Sequence, residues 1–286
     1  MPLILSIKTK QTQTHNIKQI IDTLNALLTD CNMTFYPKVR EVDSSDSDDS
    51  EGSVSKEGGL VIKEVNKTSS ILVNAKLNAS EFDEYYYNYS QSKITVGVNL
   101  GNLLKCLKCM SNLDILTLQI DSDDINKLIL ILESSEKERY EKKTFKINLM
   151  DLDIEKYKIK PVEFPFWVDL LSSDFHKNCK DMQSASEKIN ITVSSDTVNF
   201  LGKGELGLSE FELPHNGSTV IINKNANSDE EIVQGLFELK NLLIFTKCYN
   251  LSDQVILYLK NDYPLVVKYE FEFGEMKLVL SPSKPD

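Results

Sequence analysis

Between residues 16 and 31, Ile17, Ile20, Ile21, Leu24, Leu27, Leu28 and Cys31 recur every three or four positions. That period places them on one face of a helix. The same spacing returns over 100–110 (Leu103, Leu104, Leu107), 173–182 (Phe175, Cys179, Met182) and 231–246 (Leu236, Leu239, Leu242, Leu243), so four amphipathic helices are predicted. Between them lie short runs rich in Val, Ile, Leu and aromatic residues, which read as strands. In the first half these are 60–62, 70–77, 85–89, 94–98, 115–120, 128–132 and 144–149. In the second they are 164–170, 189–193, 197–201, 206–213, 218–223, 254–259, 265–273 and 277–280. Each half is mostly strand with two short helices. The order suggests a duplicated α+β unit, although no repeat is visible at the level of letters.

Two segments break the pattern. Residues 37–59 hold Asp43, Asp46, Asp48, Asp49, Glu51 and Glu57 among serines and glycines, with almost nothing apolar. Burial there cannot offset the entropy of ordering the chain, so a disordered, solvated loop is expected. Its serines beside acids are also candidate phosphorylation sites. At the middle of the chain, Leu149-Met-Asp-Leu-Asp153 and Ile154-Glu-Lys-Tyr-Lys-Ile159 form an acidic and apolar stretch that joins the two halves.

Composition narrows the classes. The 286 residues suffice for two ordinary domains. No apolar run is long enough to span a bilayer, so no membrane partner is expected. No basic region followed by a long apolar segment opens the chain, which argues against a secretory leader. The five cysteines are odd in number and read as reduced thiols of an intracellular protein. Asn-x-Ser/Thr triplets then reflect Asn and Ser richness, not glycosylation. No phosphate-binding Gly-x-x-x-x-Gly-Lys-Ser/Thr loop is present. Cys106-x-x-Cys109 lacks the second ligand pair that a structural zinc needs. His15, His176 and His215 are isolated, and Asp151 and Asp153 lie on a connector that would position an acid–base pair poorly. The chain therefore reads as a non-enzyme without cofactor or metal.

The formal charge of −11 argues at first against nucleic acid. What counts is where the cations sit. Lys18 is on the first predicted helix, Lys105 and Lys108 on the second, Lys177 and Lys180 on the third, and Lys240 and Lys247 on the fourth. Spacings of three or seven put each pair on one outward face. Lysines on exposed helix faces are commonly plain solubilising residues, so this pattern gains meaning only from its recurrence on all four helices.

Several segments, in order, resemble the proliferating cell nuclear antigen family of ring-shaped DNA sliding clamps. They are the connector from Leu149, residues 15–35, Phe82-Asp-Glu-Tyr85, Gly97-Val-Asn-Leu100 and Leu104-Lys-Cys-Leu-Lys-Cys109. Further on come Phe175-His-Lys-Asn-Cys-Lys-Asp181, Gly204-Glu-Leu-Gly207, Phe245-Thr-Lys247, Pro264-Leu-Val-Val-Lys-Tyr269 and Ser281-Pro282. The resemblance implies an α+β clamp subunit: two similar domains, each with two helices on an inner face and antiparallel sheets outside, three copies closing a ring. It divides the chain into an N-terminal domain over 1–148, a connector over 149–162 and a C-terminal domain over 163–286, with 37–59 as an insertion.

The resemblance also implies three surfaces. Lys18, Lys105, Lys108, Lys177, Lys180, Lys240 and Lys247 match positions that face double-stranded DNA and touch its phosphates without reading sequence. Val65, Ser69, Leu72, Leu149, Asp151, Tyr157, Ile159, Pro264, Val279, Ser281 and Pro282 match a pocket that accepts a short partner motif as a helical turn. The family usually has Met and His where this chain has Val65 and Ser69, which leaves the motif preference open. Lys143, Phe145 and Ile147 on one edge strand, and Leu206, Leu208 and Phe211 on another, match the contacts between subunits. The function implied is that of a homotrimeric processivity factor for a DNA polymerase. It would recruit other proteins with clamp-binding motifs and be loaded by a separate ATP-driven machine. A subunit of a heterotrimeric checkpoint-type clamp and a non-encircling scaffold remain as alternatives. The resemblance places the chain in the nucleus, or, given its Asn, Lys and Ile richness, in a cytoplasmic viral replication compartment.

Overall fold

The computed structural model of the chain describes residues 2–38, 57–111, 113–134, 140–153, 161–205 and 207–284. They fall into two compact units. The first comprises Met1–Glu64, Asn74–Glu155 and Glu272–Gly274, the second Val65–Val73, Lys156–Phe271 and Glu275–Asp286. Residues Val65–Val73, expected in the N-terminal half, thus cluster with the second unit.

In the first unit the elements are β1 (Leu3–Lys8), α1 (Gln11–Leu27), β2 (Asp30–Tyr36), β3 (Gly59–Val65), most of β4 (Ile71–Asn78), β5 (Glu84–Tyr87), β6 (Ile94–Asn99), α2 (Leu100–Leu107), β7 (Asp114–Asp121), β8 (Asp124–Ser134) and β9 (Lys142–Asn148). One antiparallel sheet has the order β5-β1-β7-β8-β9, and β2 pairs on its two sides with β3 and β6. Helix α1 packs on α2 and on β7. Its buried stripe, Ile17, Ile20, Ile21 and Leu24, is at most 6% exposed. The α1 amino end is closed by Gln13, whose Oε1 accepts from the Lys10 amide (3.0 Å) and whose Nε2 donates to Glu81 O (2.8 Å). Helix α2 is capped by Asn99, whose Oδ1 accepts from the Asn102 amide at 2.9 Å. The Phe82-Asp-Glu-Tyr85 segment has a structural role: Phe82 is buried, and the Tyr85 hydroxyl donates to the Tyr36 carbonyl at 2.7 Å.

In the second unit follow β10 (Phe166–Leu171), α3 (Ser172–Gln183), β11 (Lys188–Val193), β12 (Thr197–Gly204), β13 (Gly207–Pro214), β14 (Val220–Lys224), β15 (Val233–Glu238), α4 (Leu239–Phe245), β16 (Gln254–Leu259), β17 (Leu265–Phe271) and β18 (Gly274–Leu280). Strands run in the orders β13-β12-β11-β15 and β14-β10-β16-β17-β18. Phe175, on the buried side of α3, is 0% exposed, and its ring centroid lies 6.3 Å from that of Phe200.

The duplication absent from the letters is present in the backbone. Helices α2, α3 and α4 each begin directly after a strand. The first residue of each donates its amide to the chain approaching a neighbouring strand: Leu100 to Thr29 O (3.1 Å), Ser172 to Asp253 O (2.9 Å) and Leu239 to Glu187 O (2.9 Å). Thr9, just ahead of α1, makes the corresponding bond to Leu116 O at 2.9 Å. One junction hydrogen bond thus recurs on unrelated residues.

Two expectations about local structure are corrected. The helix predicted over 16–31 starts earlier and stops at Leu27. Leu28 is extended (φ −130°, ψ 150°), and Cys31 sits on β2 opposite Val98. The helix predicted over 231–246 is a strand up to Glu238 and a helix only over Leu239–Phe245. Leu236 is therefore a strand residue paired with Asn190 on β11. In both places a ladder to residues distant in sequence satisfies the backbone and outweighs local periodicity. The acidic expectation over 37–59 falls largely outside the described residues, as does the connector over 154–160.

Burial pushes the Cys31 and Cys179 thiols up to about 12, while Cys109 is exposed. Emptying the Phe175 site should destabilise the second unit most. Phe175→Ala is expected to cost about 3–5 kcal/mol, read as a lowered denaturation midpoint. A loss under about 1 kcal/mol would show that α3 is not anchored by this ring.

Candidate nucleic-acid interface and partner pocket

The helix lysines emerge from one-sided burial. On α2, Leu100, Leu103, Leu104 and Leu107 are at most 4% exposed, which turns Lys105 and the C-cap residue Lys108 to solvent. On α3, Ser172, Phe175, Cys179 and Met182 are buried, and Lys177 and Lys180 are exposed. Lys18 is half-buried on α1. Lys240 is exposed on α4 and lies 3.4 Å from Glu238. Lys247 is not on that helix. It follows the helix's end, in the tighter turn Thr246–Asn250. That turn is fixed to α3 by His176, whose ring stacks on Tyr249 (centroids 4.5 Å, 13° between planes) and whose Nδ1 is 2.9 Å from the Thr246 hydroxyl. Sequence periodicity gave no sign of this clasp, because its members are far apart in the chain.

Several lysines on or beside strands are matched with acids: Lys8 with Asp83 and Glu84, Lys127 with Asp124, Lys142 with Glu133, Lys268 and Lys277 with Glu275. Lys146, Lys203 and Lys224, also on strands, have no ion-pair partner among the described residues. Lys18, Lys105, Lys108, Lys177 and Lys180 have no ion-pair partner among the described residues. Their field is therefore uncompensated locally, even though the chain totals −11. Charges more than about 8 Å away are largely screened at physiological salt, so the local excess governs what the helix faces attract.

Within the second unit, several of the residues expected in a partner pocket lie near one turn. Asn66 organises the turn before β4. Its Oδ1 accepts from the amides of Ser70 (2.9 Å) and Ile71 (3.0 Å), which leaves Ser69 exposed at φ +53°. Ser281 donates its amide to Ser70 O at 2.9 Å, so the residues after β18 lie beside this turn. Farther along, Ser283 donates to Leu236 O at 2.7 Å. Val65, Leu72, Pro264, Val279 and Ser281 are half-buried and Pro282 is exposed. Tyr157 and Ile159 lie outside the described residues. Leu149 and Asp151 belong to the first unit, where the connector departs.

That departure is held by close backbone approach. Gly97 on β6 bridges Met150, whose amide donates to Gly97 O at 2.8 Å. A Cβ on Gly97 would stand 2.4 Å from Met150 O and 2.8 Å from Leu152 Cγ. Asn32 Nδ2 adds a bond to Asp153 O at 3.2 Å. Glycine is needed here for space.

Of the residues expected between subunits, those on β9 and β13 each lie on the last strand of a sheet. Lys143 and Phe145 are half-buried on β9, Ile147 is buried, Phe211 is half-buried on β13, and Leu208 is 63% exposed. Leu206 lies outside the described residues. The edges differ in charge: β9 carries Lys142, Lys143 and Lys146, whereas β13 carries Glu210 and Glu212.

Residues 6–156 match the family model for the proliferating cell nuclear antigen N-terminal domain, and residues 158–284 match that for its C-terminal domain. The chain belongs to the proliferating cell nuclear antigen family. It is 28% identical over 296 aligned residues, 98% of this chain, to the "Probable DNA polymerase sliding clamp" of Acanthamoeba polyphaga mimivirus. The chain spans 62% of the length of that relative. It also matches the crystal structure of Proliferating Cellular Nuclear Antigen from Entamoeba histolytica with a TM-score of 0.81, at 22% identity, over 99% of this chain and 100% of that one. At that identity the match shows the fold: the two-domain α+β clamp architecture, with antiparallel sheets and few helices.

Filling the Gly97 site should loosen the connector without unfolding the sheet. In Gly97→Val the Met150 amide is expected to exchange with solvent at least roughly tenfold faster, because its acceptor is pushed away. Unchanged protection by hydrogen-exchange mass spectrometry would mean that the bridge does not hold the connector.

Proposed function

We propose that the chain is a subunit of a DNA sliding clamp, a non-catalytic processivity factor that encircles duplex DNA and tethers a polymerase to it. The observation that carries this reading is the set of lysines on α1, α2 and α3 that have no acidic partner among the described residues and lie opposite the buried stripes of their helices. These lysines, with Lys240 and Lys247, would face the phosphates. Lysine presents a flexible point charge rather than a rigid fork, and such interactions exchange easily, as sliding requires. A ring cannot thread itself onto closed DNA, so a separate ATP-driven loader would open it. Polymerase and other partners would dock a short motif over Leu72, Pro264, Val279 and the connector. Such a clamp works where its genome is copied, in the nucleus or in a cytoplasmic viral compartment; imaging a tagged chain against newly made DNA distinguishes the two.

The edges favour closure with copies of the same chain. An unpaired strand end invites pairing, and a closed ring leaves none. Here the candidate edges are complementary within one sequence, lysines on β9 against glutamates on β13. Cross-strand opposite charges add roughly 0.2–1 kcal/mol per pair, and like charges oppose pairing.

Two outcomes test this function. In Lys105→Ala/Lys108→Ala, affinity for a closed circular duplex should fall by roughly tenfold or more at about 0.1 M salt. The salt dependence should also become shallower, its logarithmic slope smaller by about 0.9 for each phosphate that is no longer neutralised. Unchanged binding would remove the lysine faces from the reading. By light scattering over a dilution series the chain should have the mass of a trimer. Glu210→Lys/Glu212→Lys should convert it to monomer, and adding Lys142→Glu/Lys146→Glu should restore it. A wild-type monomer throughout would point to a hetero-ring or a non-encircling scaffold.

A further inference from the structure

At the end of α2 two cysteines share one turn that neither the lysine faces nor the pocket uses. Cys106, in the last turn of the helix, accepts at its carbonyl from the Cys109 amide at 3.1 Å. A four-residue turn closed in this way keeps its outer Cα atoms within about 7 Å. A disulfide spans Cα separations of about 4.4–6.8 Å, so this turn brings the two cysteines into bridging range. Cys106 is half-buried and Cys109 is exposed, with its Sγ 3.6 Å from Lys105 O. Burial pushes the Cys106 thiol above its ordinary range, and a charge on Cys109 adds to the shift. The remaining cysteines, Cys31, Cys179 and Cys248, are at most 1% exposed.

The surroundings of the exposed thiol are cationic. Its sulfur lies over the Lys105 carbonyl, and Lys108 adjoins it in the chain. Neither lysine has an ion-pair partner among the described residues. Lys143 reaches the same turn from β9. Its Nζ donates to Cys109 O at 3.1 Å and lies 3.2 Å from Glu141. Asp114, beyond the turn, is buried and accepts from the Ser111 amide. Reactive cysteines occupy such partly exposed, electropositive settings, and a cationic surface concentrates anionic reagents.

We propose that Cys106 and Cys109 form a thiol–disulfide exchange site for small anionic disulfides. Cys109, as thiolate, attacks one sulfur of the reagent. The reagent's S–S bond breaks, one half leaves as a thiolate, and the other stays on Cys109 as a mixed disulfide. Cys106 then gives up its proton and attacks Cys109 Sγ, which forms the Cys106–Cys109 bond and expels the second half. Two electrons pass from the protein thiols to the reagent, and the two thiol protons end on the released thiols. Cys106 thereby clears an anionic adduct from beside Lys105 and Lys108 and leaves the charge of that face unchanged. The inference needs only the turn and its cations, and it stands whether or not the face meets DNA.

The reduced chain is incubated with oxidised glutathione, quenched with acid, and read by intact mass and peptide mapping. The wild type should lose the mass of two hydrogen atoms, retain no glutathione and yield a linked Cys106–Cys109 peptide. Cys106→Ser should instead keep a glutathione on Cys109. Cys109→Ser should react roughly tenfold more slowly or worse, because the exposed attacking thiol is gone. In Lys105→Ala/Lys108→Ala, reaction with oxidised glutathione should slow by roughly threefold or more, whereas reaction with cystamine, a cationic disulfide, should not slow. A lasting glutathione adduct on wild-type Cys109, or a Cys109 that reacts no faster than the buried cysteines, overturns the exchange site. Equal slowing with both reagents overturns its preference for anions.

Discussion

Each helix of this chain has one face committed to a sheet, and the placing of its charges follows from that commitment. Leu103, Leu104 and Leu107 must lie against β2 and β6 for α2 to form at all, because an eight-residue helix is unstable alone in water. With 3.6 residues per turn, Lys105 and Lys108 then have nowhere to go but solvent. The same holds on α3, where Phe175, Cys179 and Met182 are inward and Lys177 and Lys180 outward.

Segregation of charge is the second consequence. A chain of net charge −11 can bind a polyanion only if its cations are gathered and left without internal partners. Several strand and turn lysines are paired locally, as with Lys8 between Asp83 and Glu84 or Lys268 between Glu270 and Glu275. Burial opposes the charge on Lys268, but the two carboxylates outweigh it and raise its pKa. Lys18, Lys105, Lys108, Lys177 and Lys180 have no such neighbours among the described residues.

Sheet edges and close backbone spacing are set by the same packing. The ends β9 and β13 carry opposite charge, and Gly97 admits Met150 and Leu152 at a distance that any side chain would forbid.

Periodicity alone determined that α1, α2 and α3 exist, which of their residues are buried, and that the rest is mostly strand. It also placed Lys105, Lys108, Lys177 and Lys180 outward, because a helix face can be read from local spacing. It misjudged 231–246, where Val233–Glu238 pairs with β11, and it ran α1 on to Cys31, which belongs to β2. Both segments are apolar enough for either state, and the choice is made by hydrogen-bond partners distant in the chain. The family was legible in short motifs such as Leu149-Met-Asp-Leu-Asp153. What the motifs do was decided by tertiary structure: Gly97 spaces the connector, Tyr85 ties β2, and His176 holds the turn of Lys247. The clustering of Val65–Val73 with the second unit and the pairing state of each lysine likewise depend on neighbours far apart in sequence, which no local pattern encodes.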